Sequence, residues 1–182
     1  MTKRHNLFLC CLLVIFTITT GMVFAQNADK DPAEGYWKSI DEKTGEITGV
    51  WKIYINTDKL LYGELVWIPN KDPRTLAEVC TQVSKYDEIP FSGNPAERTV
   101  LNTPWLYKLQ FKSAGEWKQG HIIDPSDGNH YYCGVTYKDG KLVMRGSLDK
   151  RGWLGRSQTW ESISQAEVEK LIAEANATYG IK

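Results

Sequence analysis

His121 and His130 stand nine residues apart with Asp124 between them, and a histidine close to a carboxylate can ligate a metal or act as a general base. The third histidine, His5, lies in an N-terminal segment read below as a leader, which leaves too few imidazoles for a histidine-rich metal centre. A strand histidine is more often structural, and that reading is preferred for His121. The run Asp124-Pro125-Ser126-Asp127-Gly128 reads as a turn in which Asp124 accepts backbone hydrogen bonds and Gly128 supplies a positive φ; calcium binding there is the weaker alternative. Glu64, after Gly63, is the carboxylate whose burial would raise its pKa and fit it for proton transfer, although a solvated strand face is the simpler reading. The sequence has no Gly-x-Ser-x-Gly elbow, P-loop, Rossmann fingerprint or His-Glu-x-x-His helix. No catalytic residue, metal or cofactor is therefore expected, and the chain reads as a non-enzyme.

Arginines and aromatics point instead to binding. Arg145 and Arg156 lie in late strand-like segments, where an inward charge needs a carboxylate, a carbonyl or a bound anion to offset desolvation. Arg145 alternates with the apolar Leu142, Met144 and Leu148, so it lies on the face opposite to theirs. If Lys141, Val143, Arg145 and Ser147 face inward, Arg145 can fix an acidic head group; if the other face is inward, it is a surface charge. The seven tryptophans and nine tyrosines suit a core or a cavity wall alike.

These residues need elements to hold them. Short segments rich in Trp, Tyr, Val and Ile, at 36–40, 47–56, 60–68, 105–111, 117–123, 130–138, 141–148 and 153–161, read as eight strands. Turn-forming pairs such as Thr44-Gly45, Ala114-Gly115 and Asp139-Gly140 separate most of them, which implies sequential hairpins. Such an up-and-down antiparallel sheet loses its exposed edges by closing into a barrel, and eight strands enclose packed side chains or one small ligand. Between strands three and four, residues 69–104 break the alternation, so a long middle loop is expected, with a helical turn near 76–83, able to cover a barrel mouth. At the far end Ser164 and Glu167 form a capping box, and Val168, Leu171, Ile172 and Ala175 share one helical face. A C-terminal amphipathic helix over 164–180 is expected, packed on the barrel.

Residues 1–25 run from Lys3 and Arg4 through an apolar stretch to Val23-Phe24-Ala25, the order of a cleavable signal peptide. Cleavage after Ala25 is expected to leave one domain over 26–163 plus the helix, in the periplasm or secreted, with no stable membrane insertion. The remaining 20 basic and 22 acidic side chains give no excess that would suggest nucleic acid. Cys80 and Cys133 are the cysteines outside the leader. An oxidising compartment favours a bridge, which by the chain-entropy model stabilises on the order of 4 kcal/mol if unstrained; two unpaired thiols are the alternative.

The blocks Asp31-Pro32-Ala33-Glu34-Gly35-Tyr36-Trp37, Tyr62-Gly63-Glu64-Leu65, Gly120-His121-Ile122-Ile123-Asp124-Pro125, Gly128-Asn129-His130-Tyr131-Tyr132-Cys133, Leu142-Val143-Met144-Arg145-Gly146 and Gly155-Arg156-Ser157-Gln158-Thr159-Trp160 resemble, in this order, the exported bacterial proteins of the family DUF2147, over about 31–161. That family is similar in architecture to lipocalins. The resemblance implies a lipocalin-like, calycin-type barrel in which Trp37 of the first strand meets Arg156 of the last, a cation stacked on an indole at the closed end. Family members often carry two cysteines close together in the middle loop, whereas this chain has Cys80 alone there. The functional expectation is an exported non-enzymatic protein binding a small, mainly apolar molecule, acidic if an arginine faces the lumen. Trp51, Tyr62, Trp67, Trp117, Tyr132 and Arg145 are the candidate wall. A protein or cell-envelope interaction module with a filled barrel, using the long loop and the helix, is the alternative, and a calycin-like hydrolase ranks last.

Overall fold

Period-two alternation makes each apolar segment a strand with one face to bury, and the computed structural model, which describes residues 30–78 and 94–181, closes eight of them into a barrel. The strands are β1 (Gly35–Ile40), β2 (Ile47–Ile55), β3 (Leu61–Trp67), β4 (Leu106–Ser113), β5 (Glu116–Ile123), β6 (His130–Lys138), β7 (Lys141–Ser147) and β8 (Gly155–Ser162). Each pairs antiparallel with its sequence neighbour, and β8 closes on β1 through Trp37 opposite Ser162. The up-and-down eight-stranded expectation is thus met. The leader, its cleavage point and Cys80 lie outside the described residues, as does most of the helical turn expected at 76–83. Leu76 itself forms an isolated bridge with Thr99.

Chain direction defines two ends. The base gathers the tight turns β2–β3, β4–β5 and β6–β7, with Gly115 at φ 74° and Gly140 at φ 78° supplying the backbone that a side chain disfavours. Trp37 plugs this end by donating its indole N–H to the Ala33 carbonyl at 2.9 Å and meeting Tyr137 edge-on. Asp31 ties the preceding segment down by accepting from the amides of Ala33 and Gly115.

The other end carries the loops 41–46, 124–129 and 148–154 and the described ends, 68–78 and 94–105, of the connection between β3 and β4. The end of that connection seals the gap between β3 and β4, which pair at only two positions. There Asn102 donates to the Leu65 carbonyl, Ile123 donates to that of Trp105, and Trp105 is fully buried with its N–H on the Val100 carbonyl.

Outside the wall lies α1 (Gln165–Thr178), whose capping box forms as read, with Ser164 Oγ accepting from the Glu167 amide and the Glu167 carboxylate from the Ser164 amide. Val168 is buried against Val50 and Val66, with Trp67, Leu171 and Ile172 around it. No helix among the described residues is long and apolar enough to cross a membrane.

Candidate ligand-binding site in the barrel

The base half of the barrel is filled and the mouth half is hollow. Leu142, Trp117, Val135 and Trp160 are all buried in the lower core, and above them opens a cavity of about 1140 Å³. Trp51 lines the bottom of this cavity, stacked on the buried Trp160 with centroids 5.0 Å apart and planes at 17°. Apolar wall comes from Leu65, Ile68, Ile122, Tyr131 and Met144; Ser39, Thr48, Gln158 and Arg156 add polar atoms, and Asp41, Asp124, Ser126, Leu148 and Leu154 stand around the opening.

Arg156 reaches the lumen because β8 pairs with β7 in a register that sets Trp160 opposite Leu142, Gln158 opposite Met144 and Arg156 opposite Gly146. All six share the inward face. Gln158 accepts the Trp160 indole N–H at 3.2 Å, while the Arg156 guanidinium has no hydrogen bond or salt bridge among the described residues. It is the one cation among the described residues that line the cavity. The two lining carboxylates are engaged in their own turns: Asp41 accepts from the amides of Lys43 and Thr44, and Asp124 from the amide and hydroxyl of Ser126. Those backbone hydrogen bonds, from Thr44 first, hold the Asp41 carboxyl below its ordinary pKa.

The expected wall is largely overturned. Of its six residues only Trp51 lines the cavity. Trp117 is inward but buried in the filled half. Tyr62 is buried on the outer face of β3 beside Tyr54, with its hydroxyl donating to Asp58 at 2.5 Å. Trp67 faces α1. Tyr132 lies on the outer wall within ring contact of His121, which stacks on His130 at 4.8 Å. Arg145 also points outward: its Nε donates to the Gly152 carbonyl at 2.7 Å and its terminal nitrogens to the Trp153 carbonyl and Ser157 Oγ at 3.2 Å, bracing the β7–β8 loop.

The expected stack of Arg156 on Trp37 is likewise corrected. Trp37 sits opposite Ser162, six residues from Arg156 along β8, which at about 3.3 Å per residue is roughly 20 Å. The two are at opposite ends, and Ala33 and Tyr137 satisfy Trp37 instead.

Glu64 is outward and paired with Lys52 at 3.3 Å. Cys133 is a free, buried thiol whose pKa burial pushes up, and its expected partner lies outside the described residues. No group of three metal-ligating side chains occurs among the described residues. On the outer wall, a second groove of about 450 Å³ runs past Tyr132, Arg145 and the β7–β8 loop.

This geometry can be set beside known proteins. The profile of the family described as "Uncharacterized protein conserved in bacteria (DUF2147)" matches residues 35–162. The chain belongs to this family. A solved structure of the Helicobacter pylori protein HP1028, described as belonging to the lipocalin family, superposes on this DUF2147 chain with TM-score 0.59 at 17% identity, covering 76% of this chain and 88% of that one. At that identity the likeness is one of fold, so the DUF2147 barrel is lipocalin-like. No relative among the curated proteins matches the sequence. In this DUF2147 member the block Asp31–Trp37 builds the base and Gly155–Trp160 builds one wall of the hollow, so the two most recognisable segments serve opposite ends.

Proposed function

We propose that this DUF2147 protein is an exported binding protein that takes one small, mainly apolar molecule with an acidic head group into the open half of its barrel. The observation that carries the reading is the hollow itself, floored by an indole stack and supplied, among the described residues, with a single cation, Arg156, that none of them neutralises. Its volume matches or slightly exceeds the roughly 300–1,000 Å³ usual for ligand sites, too large to be a packing defect. Leu65, Ile122 and Met144 favour an apolar body; Arg156 and Gln158 favour a carboxylate or similar anion.

Binding is favoured over catalysis by the state of the nucleophiles. Among the described residues no histidine or cysteine lines the cavity, and its serines are already committed: Ser39 to Thr48 and the Gly49 carbonyl, Ser126 to Asp124, Ser147 to the Asp149 carbonyl. A filled-barrel interaction module finds no support in a hollow mouth with α1 laid on the wall. Export follows from the order of charges and apolar residues in 1–25, and peptide mapping of the cell-derived protein is expected to begin at Gln26.

The test uses N-phenyl-1-naphthylamine as an apolar reporter, displaced by a long-chain fatty acid or by the alcohol of equal length. The protein is expected to bind the dye and to prefer the acid, and Arg156→Gln to lose about tenfold for the acid and little for the alcohol. Gly146 faces the hollow with only ordinary contacts around its missing Cβ, so Gly146→Phe should fill the mouth and abolish dye uptake. Dye uptake that survives Gly146→Phe unchanged would place binding outside the barrel and overturn the reading.

A further inference from the structure

The β7–β8 loop at the rim, 148–154, shows Leu148, Trp153 and Leu154 to solvent at 70%, 77% and 68% exposure, the highest of the large apolar side chains among the described residues. Exposure here is not looseness. Asp149 accepts from the amides of Trp153 and Leu154, Leu148 donates to the Leu154 carbonyl at 2.9 Å, and Gly152 donates to that of Asp149 at 3.0 Å. The carbonyls of Gly152 and Trp153 take the Arg145 guanidinium. A loop that pairs most of its backbone groups internally enters a low-dielectric layer with few polar groups stranded, and this one holds its apolar side chains outward at little further cost in ordering.

Charge accompanies the apolar tip. The adjoining outer groove is lined by Lys112, Lys118, Arg145, Lys150 and Arg151 and, among the described residues, by no carboxylate. Glu116 pairs with Lys118, while Lys112, Lys150 and Arg151 have no salt bridge among the described residues. Arg151 lies over the Trp153 ring at 5.9 Å. The two loops that flank it on the rim are acidic, with Asp41, Glu42 and Glu46 in the β1–β2 loop and Asp124 and Asp127 in the β5–β6 loop. A negatively charged surface is therefore drawn to the β7–β8 edge and held off the rim on either side of it.

We propose that the β7–β8 loop and the basic groove beside it form a docking surface for an anionic phospholipid bilayer, with Leu148, Trp153 and Leu154 entering the interface and Lys150 and Arg151 meeting lipid phosphates. A soluble polyanion would use the cations but leave the apolar tip without a purpose. An indole flanked by leucines and cations suits the boundary between head groups and acyl chains, where tryptophan places its ring among both. The barrel docks tilted on this edge, and since Leu148 and Leu154 also line the opening of the cavity, the mouth then borders the lipid.

The experiment floats the protein, in the N-terminal form recovered from cells without detergent, with vesicles of phosphatidylcholine or of phosphatidylcholine and phosphatidylglycerol. Binding to the anionic vesicles is expected to exceed binding to the neutral ones and to weaken as salt rises. Lys150→Glu with Arg151→Glu, and Leu148→Ser with Trp153→Ser and Leu154→Ser, should each lower it at least about tenfold, in variants whose melting shows them folded. If the triple serine variant does not fold, Trp153→Ser alone replaces it. Acyl-chain brominated lipid should quench wild-type fluorescence and lose that effect in Trp153→Phe. Any N-terminal contribution is common to all variants. Binding indifferent to lipid charge, or undiminished by the serine substitutions, overturns the proposal; charge-dependent binding that heparin competes for and the serine variants retain identifies a polyanion site instead.

Discussion

Arg145 and Arg156 occupy adjacent residue pairs on β7 and β8, yet one braces a loop outside the barrel and the other stands in its lumen. Their expected phenotypes follow from this and reverse what a Trp37 stack would imply. Arg145→Ala removes hydrogen bonds to two loop carbonyls and should cost about 1–2 kcal/mol in urea unfolding while leaving dye uptake intact. Arg156→Ala, whose guanidinium holds no partner among the described residues, should change stability by no more than about 0.5 kcal/mol. Equal destabilisation by both would contradict the assignment. Tyrosines give a pH signature. Burial first, then Glu64 and Asp58, raises Tyr54 to about 12, and burial followed by the Asp58 hydrogen bond raises Tyr62 further. A phenol raised in the folded state contributes stability that is complete below its unfolded pKa of about 10 and is lost as pH climbs toward the folded value. Urea midpoints should therefore fall between about pH 10 and 12. That fall should shrink in Tyr54→Phe, and an unchanged slope would remove Tyr54 as its cause.

Elements differ in how firmly they are held. The barrel strands pair on both sides, whereas α1 is attached through one apolar stripe centred on Val168 and through its N-terminal cap. Val168→Asp would place a carboxylate against Val50 and Val66, so amide exchange over 165–178 should accelerate by orders of magnitude while strand amides stay protected. Ser164→Ala removes the cap and should cost about 1 kcal/mol. Uniform acceleration across strands and helix would instead mean that α1 is integral to the barrel. At the mouth, a Cβ on Gly155 would lie 2.3 Å from the Gly146 carbonyl oxygen, so Gly155→Ala should push β8 away from β7 and cost about 1–3 kcal/mol, measurable as a lowered melting temperature. A melting temperature unchanged from wild type would count against that close approach.

At the scale of the whole molecule, the barrel is asymmetric along its axis: a closed base of tight turns and packed indoles, and an open end of longer loops around a hollow. Several of those turns are tied by carboxylates held below their ordinary pKa. Thr44 and Lys43 amides do this for Asp41, the Arg74 side chain for Asp72, the Leu154 amide for Asp149, and Ser164 for Glu167. A lowered carboxylate contributes stability that is present above its unfolded pKa, near 4, and is lost as pH falls through the folded value. Melting temperature should accordingly hold steady down to about pH 4 and decline below it. A decline already under way near pH 6 would point to histidine rather than to these turns.

By itself the sequence determined eight strands, their hairpin order, the capped helix and the family, because each is written in neighbouring residues: Trp51, Ile53 and Ile55 alternate, Asp139-Gly140 turns, and Ser164 caps Glu167. It also carried a clue to Arg156, since Trp160 must face the core and β8 alternates, which sets Gln158 and Arg156 inward with it. Only the tertiary structure decided which residues meet in the hollow. On β4 and β5, bulges are the physical reason. Irregular pairing between Leu61 and Gly63, and between Trp117 and Gly120, with positive φ at Lys108 and Gln119, shifts the inward face by one residue, so Leu106 and Leu109 both face in and so do Trp117 and Gly120. A one-residue shift reverses every side chain beyond it, and the pattern of a single strand does not reveal where it falls. Strand order along the axis did the rest, setting Trp37 at the base and Arg156 at the mouth although both belong to strands that pair.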